Sequence, residues 1–458
     1  MIRVSARQIY HLEPPRGLLN DPNGLAHFSD KYYVFFQWNR FAKDHTSKEW
    51  GWFESADLVR WDFLGTALVP SQPYDRDGVL SGSAVEGDEG LLLYYTGKAK
   101  VDGHRVVRQC AALMPDGRHV QKLGPVIEME EAFTEHFRDP SVRRLADGAY
   151  LMLLGAQRAA DGKGAIAAYR SANGLSWAFA GEFARSADYE MIECPELVRL
   201  PAGDVLLFCP QERDNARDVC GDSFAAYKVV ALDEGACALA DEAERDLDHG
   251  WSLVDAGFDL YSPQTLGAPD GRRLLFGWMS RLSEEQERLL AEGERSIHCL
   301  TLPREVSLVN GRLRQEPARE LRELLGRVAG PARAVGEALS FAPATRAYHV
   351  SVRAEGARSF SLELNGGEAV LSYDAGTGAL ALLRADWATG ATERREVEIG
   401  VLTDLEVWLD QSSLEAFANR GAATLSARVL PRSEFGQVSA LGLEEGRIEV
   451  RDIVAPQA

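Results

Sequence analysis

The chain has 458 residues, of which 45% are hydrophobic, so it is long enough for more than one domain and for a sizeable core. Its formal net charge of -19, from 50 basic and 69 acidic residues, argues against nucleic acid or an anionic membrane as a partner. No apolar run approaches the roughly 18 residues of a membrane helix, and residues 1–7 lack the apolar core of a signal peptide.

Five short polar motifs recur through the first 280 residues, and each precedes a strongly apolar segment of β type. The motifs are Asn20-Asp21-Pro22-Asn23-Gly24, Ser81-Gly82-Ser83, Arg138-Asp139-Pro140, Glu193-Cys194-Pro195 and Tyr261-Ser262-Pro263-Gln264. The apolar segments are Tyr32–Phe36, Leu91–Tyr95, Tyr150–Leu154, Val205–Phe208 and Leu274–Trp278. They recur at roughly 55 to 69 residues, a period that predicts the blades of a β-propeller. A generic β-sandwich is the alternative.

A second, weaker repeat supports the blades. Ser55–Trp61 and Ser171–Trp177 share a Ser-Ala start and a closing Trp, and both are typical of a turn that leads into an outer strand. The innermost strands of a propeller converge on one axis, so we expect the five motifs to face one pocket.

Two later stretches have helical character. Ser283–Arg295 is rich in Glu, Gln, Arg and Leu, and Pro317–Val328 places Leu321, Leu324 and Leu325 at helical spacing. The second is a candidate linker helix, which divides the chain into a propeller over residues 1–314, a linker over 315–331 and a further domain over 332–458.

From residue 332 the chain contains short, mostly alternating apolar runs separated by Gly, Asp and Asn. This pattern predicts an antiparallel β-sandwich, and we expect it to have a structural or oligomeric role, for example in a homodimer. The clearest runs are Phe360–Leu364, Leu380–Leu383, Leu405–Leu409 and Ile448–Val450.

The cysteines are scattered, and none forms a Cys-x-x-Cys pair, which makes a zinc site improbable. Without an export signal, they favour reduced thiols in the cytoplasm. The six are Cys110, Cys194, Cys209, Cys220, Cys237 and Cys299.

Three motif carboxylates are candidates for chemistry, although each has a plain structural explanation. Asp21 lies in a sequence typical of a tight turn, Asp139 in a salt-bridged pair before a proline, and Glu193 could be an ordinary strand residue. The chain neighbours of Glu193 are apolar or weakly polar, so we expect desolvation to raise its pKa, as a general acid requires. One ionised and one protonated carboxyl are the equipment of glycoside hydrolysis. The sequence has no phosphate loop, no Gly-x-Ser-x-Gly elbow and no His-x-x-x-His pair.

The chain resembles glycoside hydrolase family 32, the β-fructofuranosidases, over nearly its whole length. The motifs that carry the resemblance are the segment from His11 to Gly24, then Phe35–Asn39, Leu80–Ser83, Phe137–Pro140, Glu193–Pro195, Tyr261–Thr265, Leu302–Glu305 and Asp410–Glu415. The resemblance implies a five-bladed propeller joined to a β-sandwich, and retaining hydrolysis of a terminal β-fructofuranosyl bond without metal or cofactor.

The resemblance also implies a role for each matching residue. Asp21 would be the nucleophile, Glu193 the general acid and then base, and Asp139 a group that holds fructose hydroxyls and stabilises the transition state. Retention requires the Asp21 and Glu193 carboxyls to lie roughly 5–5.5 Å apart. The implied substrate-binding residues are Asn20, Gln37, His45, Lys48, Trp50, Leu80, Ser81, Arg138 and Tyr261.

The leaving group is less clearly indicated. A His45–Lys48 pair resembles the sucrose-6-phosphate enzymes, and Arg40, Lys43, His45 and Lys48 form a basic cluster in sequence that suits a phosphate. A solvated charged loop is the alternative. The sequence departs from the family at Arg40, at Ser262 and in the acidic Ser283–Arg295 stretch, and all of these bear on the pocket rim.

The sequence therefore predicts hydrolysis of sucrose 6-phosphate or sucrose. An exo-acting fructan hydrolase, a fructosyltransferase and a non-catalytic sugar-binding protein are the alternatives. The last of these would be expected to lack one of the carboxylates, and all three are present.

Overall fold

The structure is a computed structural model that describes residues 4–211, 224–279, 281–335 and 338–456. Cys220 lies outside these ranges. Among the residues described, none of the helices has the length and apolar character that crossing a membrane requires.

Five antiparallel sheets of four main strands occupy residues 17–317. The first two are β1 (Gly17–Phe28), β2 (Lys31–Asn39), β3 (Glu49–Ser55), β4 (Asp62–Leu68), then β5 (Gly78–Gly87), β6 (Gly90–Val101), β7 (His104–Met114), β8 (Gln121–Ile127). The third is β9 (Phe133–Arg144), β10 (Tyr150–Arg158), β11 (Gly164–Ser171) and β12 (Ala178–Arg185).

The fourth and fifth sheets include small additions. The fourth is β13 (Met191–Leu200), β14 (Gly203–Gln211), β15 (Ala226–Val230) and, after a hairpin of β16 (Leu232–Asp233) and β17 (Ala238–Leu239) and a 3-10 helix (Glu242–Arg245), β18 (Ser252–Leu253). The fifth contains β19 (Leu260–Gly267) and β20 (Arg273–Met279), then, after helix α1 (Glu284–Ala291), β21 (Ser296–Ile297) and β22 (Cys299–Leu300), the strands β23 (Arg304–Val309) and β24 (Arg312–Pro317). Strand β22 pairs with β20, whereas β21 pairs in parallel with β1.

The first strands of the five sheets contact one another in a closed ring, in the order β1, β5, β9, β13, β19 and back to β1. This ring is the centre of a five-bladed β-propeller, so the sandwich alternative for this region is wrong. Each predicted apolar segment lies on the second strand of its blade, where it is almost entirely buried.

The Ser-to-Trp repeat forms the same turn in two blades. Ser55 Oγ accepts the amide of Leu58 and Trp61 Nε1 donates to the Leu58 carbonyl at 3.1 Å. Ser171 Oγ and Trp177 Nε1 make the same two bonds to Gly174, the indole bond being 3.0 Å. Both Leu58 and Gly174 have a positive φ, which the tight turn requires.

The remaining strands form two facing sheets around a core of Leu, Val, Ala and aromatic side chains, as predicted. In chain order they are β25 (Leu325–Ala329), β26 (Pro331–Val335), β27 (Ala338–Phe341), β28 (Tyr348–Arg353), β29 (Phe360–Leu364), β30 (Ala369–Asp374), β31 (Ala379–Ala385), β32 (Thr392–Glu398), β33 (Asp404–Leu409), β34 (Ser413–Ala418), β35 (Ala423–Arg428), β36 (Val438–Leu441) and β37 (Ile448–Ile453), with a 3-10 helix (Glu445–Arg447) before the last. One sheet runs β25-β37-β28-β33-β34-β35 and the other β26-β27-β36-β29-β30-β31-β32.

The two helical predictions have different outcomes. Helix α1 confirms the first, and Ser283 begins it with a capping box to Gln286. The second is wrong as an α-helix, because the segment is a 3-10 helix over Arg319–Leu324 that gives way to β25. Leu321 and Leu324 are buried as the spacing suggested, but pairing of Leu325 with Ile453 draws the next residues into the sandwich.

A fully buried ion cluster joins the N-terminal segment to the sandwich. His11 Nδ1 and Nε2 lie 2.9 Å from Asp410 Oδ2 and Glu415 Oε1 respectively, and Arg304 Nε donates to Glu415 Oε2 at 2.9 Å. Burial alone would lower the pKa of His11, but its bonds to the two carboxylates raise it to about 9. The Asp410–Glu415 motif is therefore an anchor for the propeller.

Replacing His11 with Ala should lower the free energy of unfolding by about 3–5 kcal/mol, because two buried carboxylates lose their partner. Since the pKa of His11 is raised by folding, the stabilisation that its charged form provides is complete below about pH 6.5. It is lost as the pH rises through about 9. Chemical denaturation of the full chain between pH 6 and pH 10 measures both effects. His104→Ala, at an exposed histidine, is the control. Equal stabilities of the two variants would contradict the anchor.

Candidate active site

Each of the five polar motifs lies on the innermost strand of its blade, at a shift in the strand register. The shifts fall between Leu19 and Pro22, Val79 and Gly82, Arg138 and Ser141, Glu193 and Glu196, and Tyr261 and Gln264. A bulge bends the strand and redirects its side chains, so two successive motif residues can both face the propeller axis.

The bulges give two sets of equivalent residues. The outer set is Asn20, Leu80, Arg138, Glu193 and Tyr261, and all five line one pocket at the end of the axis. The inner set is Asp21, Ser81, Asp139, Cys194 and Ser262, of which only the two carboxylates reach the pocket surface.

Backbone strain accompanies the inner set. Asp139, Cys194 and Ser262 have φ values of 63°, 47° and 47°, and each precedes a proline, which disfavours that conformation. The three residues also contact one another. Ser262 Oγ lies 3.0 Å from Cys194 Sγ, and the backbone amide of Cys194 donates to Asp139 Oδ2 at 3.2 Å. The departure at Ser262 therefore supplies a hydroxyl to the thiol beside Asp139.

Glu193 is held by polar side chains on both oxygens. Arg138 Nη2 lies 2.5 Å from its Oε1, while Tyr261 Oη and Gln211 Nε2 donate to its Oε2 at 2.7 and 2.6 Å. The apolar surroundings that the sequence suggested are absent at the carboxyl, because the flanking Ile192 and Cys194 are buried elsewhere in the core.

Asp21 accepts hydrogen bonds from Ser81 Oγ at 2.5 Å and Gln37 Nε2 at 3.3 Å, both onto Oδ2. Asn20 Nδ2 donates to Gln37 Oε1 at 3.1 Å, and this bond fixes the orientation of the Gln37 side-chain amide. Burial raises the pKa of Asp21, and the charge of Glu193 adds to this, while the Ser81 bond and Lys48 oppose it.

Asp139 is the most perturbed of the three carboxyls. Burial, opposed by Arg138 and reinforced by the charges of Glu193 and Asp21, raises its pKa to about 7. Arg138 Nε lies 3.8 Å from its Oδ2. The Asp139 carboxyl is therefore partly protonated near neutral pH.

Lys48 and His45 lie beside Asn20. Lys48 is buried, and its Nζ lies 2.5 Å from Asn20 Oδ1 and 3.0 Å from His45 Nδ1. Burial lowers the pKa of Lys48 to about 8. Part of the His45 ring faces the opening, but desolvation of the rest and the charge of Lys48 lower its pKa to about 4.

The predicted basic cluster does not converge. Arg40 pairs with Glu49 at 3.2 Å, and Lys43 Nζ donates to the carbonyls of Ala291 and Glu294 at the end of α1. Only His45 and Lys48 of the four line the pocket. The other two, Arg40 and Lys43, are therefore structural, because their partners come from strand β3 and from the end of α1.

Two predicted substrate-binding residues lie behind the pocket wall. Trp50 is fully buried, and its indole N–H donates to the Leu80 carbonyl at 2.9 Å, so it supports the wall without lining it. Ser81 is also fully buried and acts on Asp21. The other predicted site residues, Asn20, Gln37, His45, Lys48, Leu80, Arg138 and Tyr261, all line the pocket.

Comparison with known families decides the relationship. The N-terminal domain model of the glycosyl hydrolases family 32 matches residues 11–317, and the C-terminal model matches residues 322–454. The chain belongs to glycosyl hydrolase family 32. The matches span the propeller with its three carboxylates and the sandwich with its anchor motif.

Relatives within family 32 are similar over most of both chains. The sucrose-6-phosphate hydrolase of Bacillus subtilis (strain 168) is 35% identical over 436 residues, 93% of this chain and 89% of the relative. That of Klebsiella pneumoniae is 37% identical, covering 92% and 88%. The structure of sucrose-6-phosphate hydrolase from Lactobacillus gasseri superposes with a TM-score of 0.84 at 26% identity, covering 98% and 93%.

The pocket of this family 32 chain has a volume of about 890 Å³, and its wall includes residues that the sequence motifs did not indicate. Gln211 is the last residue of β14 and contacts Glu193 because β14 pairs with β13. Its place in the site could be predicted only from the register of these two strands. Lys98 and Arg105 come from the β6–β7 hairpin, Glu287 from α1, and Arg384 and Arg395 from the sandwich.

Ser81→Ala should raise the pKa of Asp21 further, because burial already favours the neutral acid and the mutation removes a charge-assisted bond of about 1.5–3 kcal/mol. The acid limb of the pH profile of kcat/KM should then move up by about one to two pH units. Ser83→Ala is the control, since Ser83 lies on the same strand and accepts the Val142 amide instead. An unmoved acid limb would exclude a role for Ser81 in keeping Asp21 ionised.

Proposed function

We propose that this protein is a retaining β-fructofuranosidase that hydrolyses the terminal β-D-fructofuranosyl bond of sucrose 6-phosphate or sucrose. The observation that carries the proposal is the convergence of Asp21, Asp139 and Glu193 on one pocket from three innermost strands. The sucrose-6-phosphate hydrolases among the relatives support the choice of substrates.

In the first step, the Asp21 carboxylate attacks the anomeric carbon of fructose while Glu193 protonates the departing oxygen. A covalent fructosyl-enzyme forms, and Glu193, now ionised, takes a proton from water as that water attacks the same carbon and releases Asp21. Ser81 and Gln37 both donate to Oδ2 of Asp21, which orients the carboxylate for the attack.

The donors around Glu193 suit its ionised state, which the second step needs. For the first step, the cluster must supply a proton, and the raised pKa of Asp139 keeps one in the pocket near neutrality. Arg138 Nε lies 3.8 Å from Asp139 Oδ2 and Arg138 Nη2 lies 2.5 Å from Glu193 Oε1, so one guanidinium balances the charge of both carboxyls.

The cellular setting is part of the same proposal. We place the reaction in the cytoplasm, since all five described cysteines are free and buried, as in a reducing compartment. A homodimer remains the predicted assembly, and light scattering of the purified chain tests it.

Asp21→Asn and Glu193→Gln should each lower kcat by several orders of magnitude, because one removes the nucleophile and the other the proton donor. Fructose release from sucrose 6-phosphate, sucrose and inulin measures the loss and ranks the substrates. Circular dichroism checks that the fold survives. Glu284→Gln removes an exposed pocket acid on α1 and should leave turnover within about twofold. Near-normal turnover by either carboxylate variant would remove the assignment, and a strong preference for inulin would favour the fructan hydrolase.

The activity should depend on pH through Asp139. Its carboxyl is protonated below about pH 7 and ionised above, so kcat/KM should fall about tenfold per pH unit beyond that point as the cluster loses its proton. A pH profile of kcat/KM between pH 5 and pH 9 measures the limb. A flat profile up to pH 9 would contradict a role for that proton.

A further inference from the structure

Four of the cations that line the pocket are Lys48, Lys98, Arg105 and Arg138. Each of them lies near enough to the next to affect its pKa. The pKa of Lys98 is lowered by burial and by Arg105, and that of Arg105 by burial and by Arg138, while Lys98 in turn acts on Lys48. The first and the last of the four face acids, since Arg138 contacts Glu193 and the charge of Asp21 acts on Lys48.

The two middle cations share one face of the β6–β7 hairpin. Lys98 pairs with Val107 and Lys100 with Arg105, so Lys98 and Arg105 are diagonal neighbours on the same side. Diagonal Cβ atoms lie about 7–8 Å apart, a separation that long side chains close around a small group. Lys98 extends over Gly78, where an added Cβ would meet its Cε at 3.3 Å.

Neither middle cation has an acidic partner in the part of the chain that the structure describes. No carboxylate oxygen there lies within 4 Å of Lys98 Nζ or of the Arg105 guanidinium, and Arg105 Nε is buried without a hydrogen-bond partner. The acid that acts on Lys98 from a distance is the exposed Asp77, and those that act on Arg105 are Asp139, the exposed Glu135 and Glu193. Half-buried cations without partners are costly, so a ligand that brings negative charge would relieve them.

We propose that Lys98 and Arg105 bind the phosphate group of a phosphorylated sugar whose fructosyl bond is cleaved at Asp21 and Glu193. This inference rests on the proposed function. The fructosyl group must reach Asp21 and Glu193, so a phosphate on the leaving group lies farther along the same pocket, whose lining includes Lys98 and Arg105. Arginine offers a planar fork and lysine a compact charge, and together they match a dianionic monoester.

Most of the other pocket cations are already engaged. Lys48 donates to Asn20 and His45, and Arg384 pairs with Asp259 and Glu393. Arg281 lies over the Tyr261 ring, with its guanidinium carbon 5.8 Å from the ring centroid. Arg395 stacks on Phe258 from the sandwich side at 5.2 Å and, like Arg105, has a buried Nε without a hydrogen-bond partner, so Arg395→Met is an arm of the test below. The proposal therefore moves the phosphate site from the predicted His45–Lys48 pair to the hairpin of the second blade.

Lys98→Met and Arg105→Met should each lower the ratio of kcat/KM for sucrose 6-phosphate to that for sucrose by about 10- to 100-fold, since each removes a charge-assisted bond. Arg105→Lys keeps the charge without the fork and should lie between. Lys100→Met is the matched control, because Lys100 is exposed on the same hairpin face but lies outside the pocket lining. It should leave the ratio within about twofold.

Glucose 6-phosphate, compared with glucose as an inhibitor of sucrose hydrolysis, tests the site apart from turnover of the phosphorylated sugar. The wild-type enzyme should bind the phosphate at least tenfold better, and Lys98→Met and Arg105→Met should lose that advantage. An unchanged ratio and an unchanged advantage would overturn the proposal, as would a loss found only in Arg395→Met or Lys48→Met. Failure of the wild type to cleave either sugar would instead reject the proposed function itself.

Discussion

The ion pair between Arg138 and Glu193 is the interaction on which the pocket depends. Three carboxyl groups meet at the end of the propeller axis, where ionised acids are costly without compensation. Arg138 contacts two of them, Ser81 and Gln37 satisfy Asp21, and a proton near neutral pH relieves Asp139. The charge balance and the acid–base chemistry are therefore one arrangement, since the same partners that make the cluster tolerable also set which carboxyl holds a proton.

The backbone supplies this arrangement through the five bulged strands. In three blades the inner residue adopts a positive φ before a proline, which is tolerated because the surrounding ring of strands over-determines it. The sandwich contributes from outside. Gln286 of α1 donates to Asp386 at 3.0 Å, and Arg384 and Arg395 line the pocket, so the second domain contributes to the wall of a pocket whose three carboxylates belong to the first.

The sequence predicted the features that are written in local patterns. The polar motifs, the apolar second strands, the three carboxylates and helix α1 all depend on residues close in sequence. Long-range pairing decided the rest. Arg40 and Lys43 bind partners on β3 and α1 instead of joining the predicted basic cluster, and Trp50 packs in the core. Residues 325–329 pair with the C-terminal strand β37. Lys98 and Arg105 look like ordinary surface charges until the hairpin register places them on the pocket face.

The pairing of β21 with β1 has a consequence for biosynthesis. Gly17 and Leu18 can pair with Ser296 and Ile297 only after about 280 further residues have been synthesised. This synthesis takes roughly 15–60 s at 5–20 residues per second. Until then, the start of β1 at Gly17 and Leu18 lacks this partner, and an unpaired edge invites intermolecular strand addition. Asp21 is thus among the first residues made, but the start of its strand gains this partner only near the end of the propeller, so a chain stalled before residue 297 would present an unpaired strand edge.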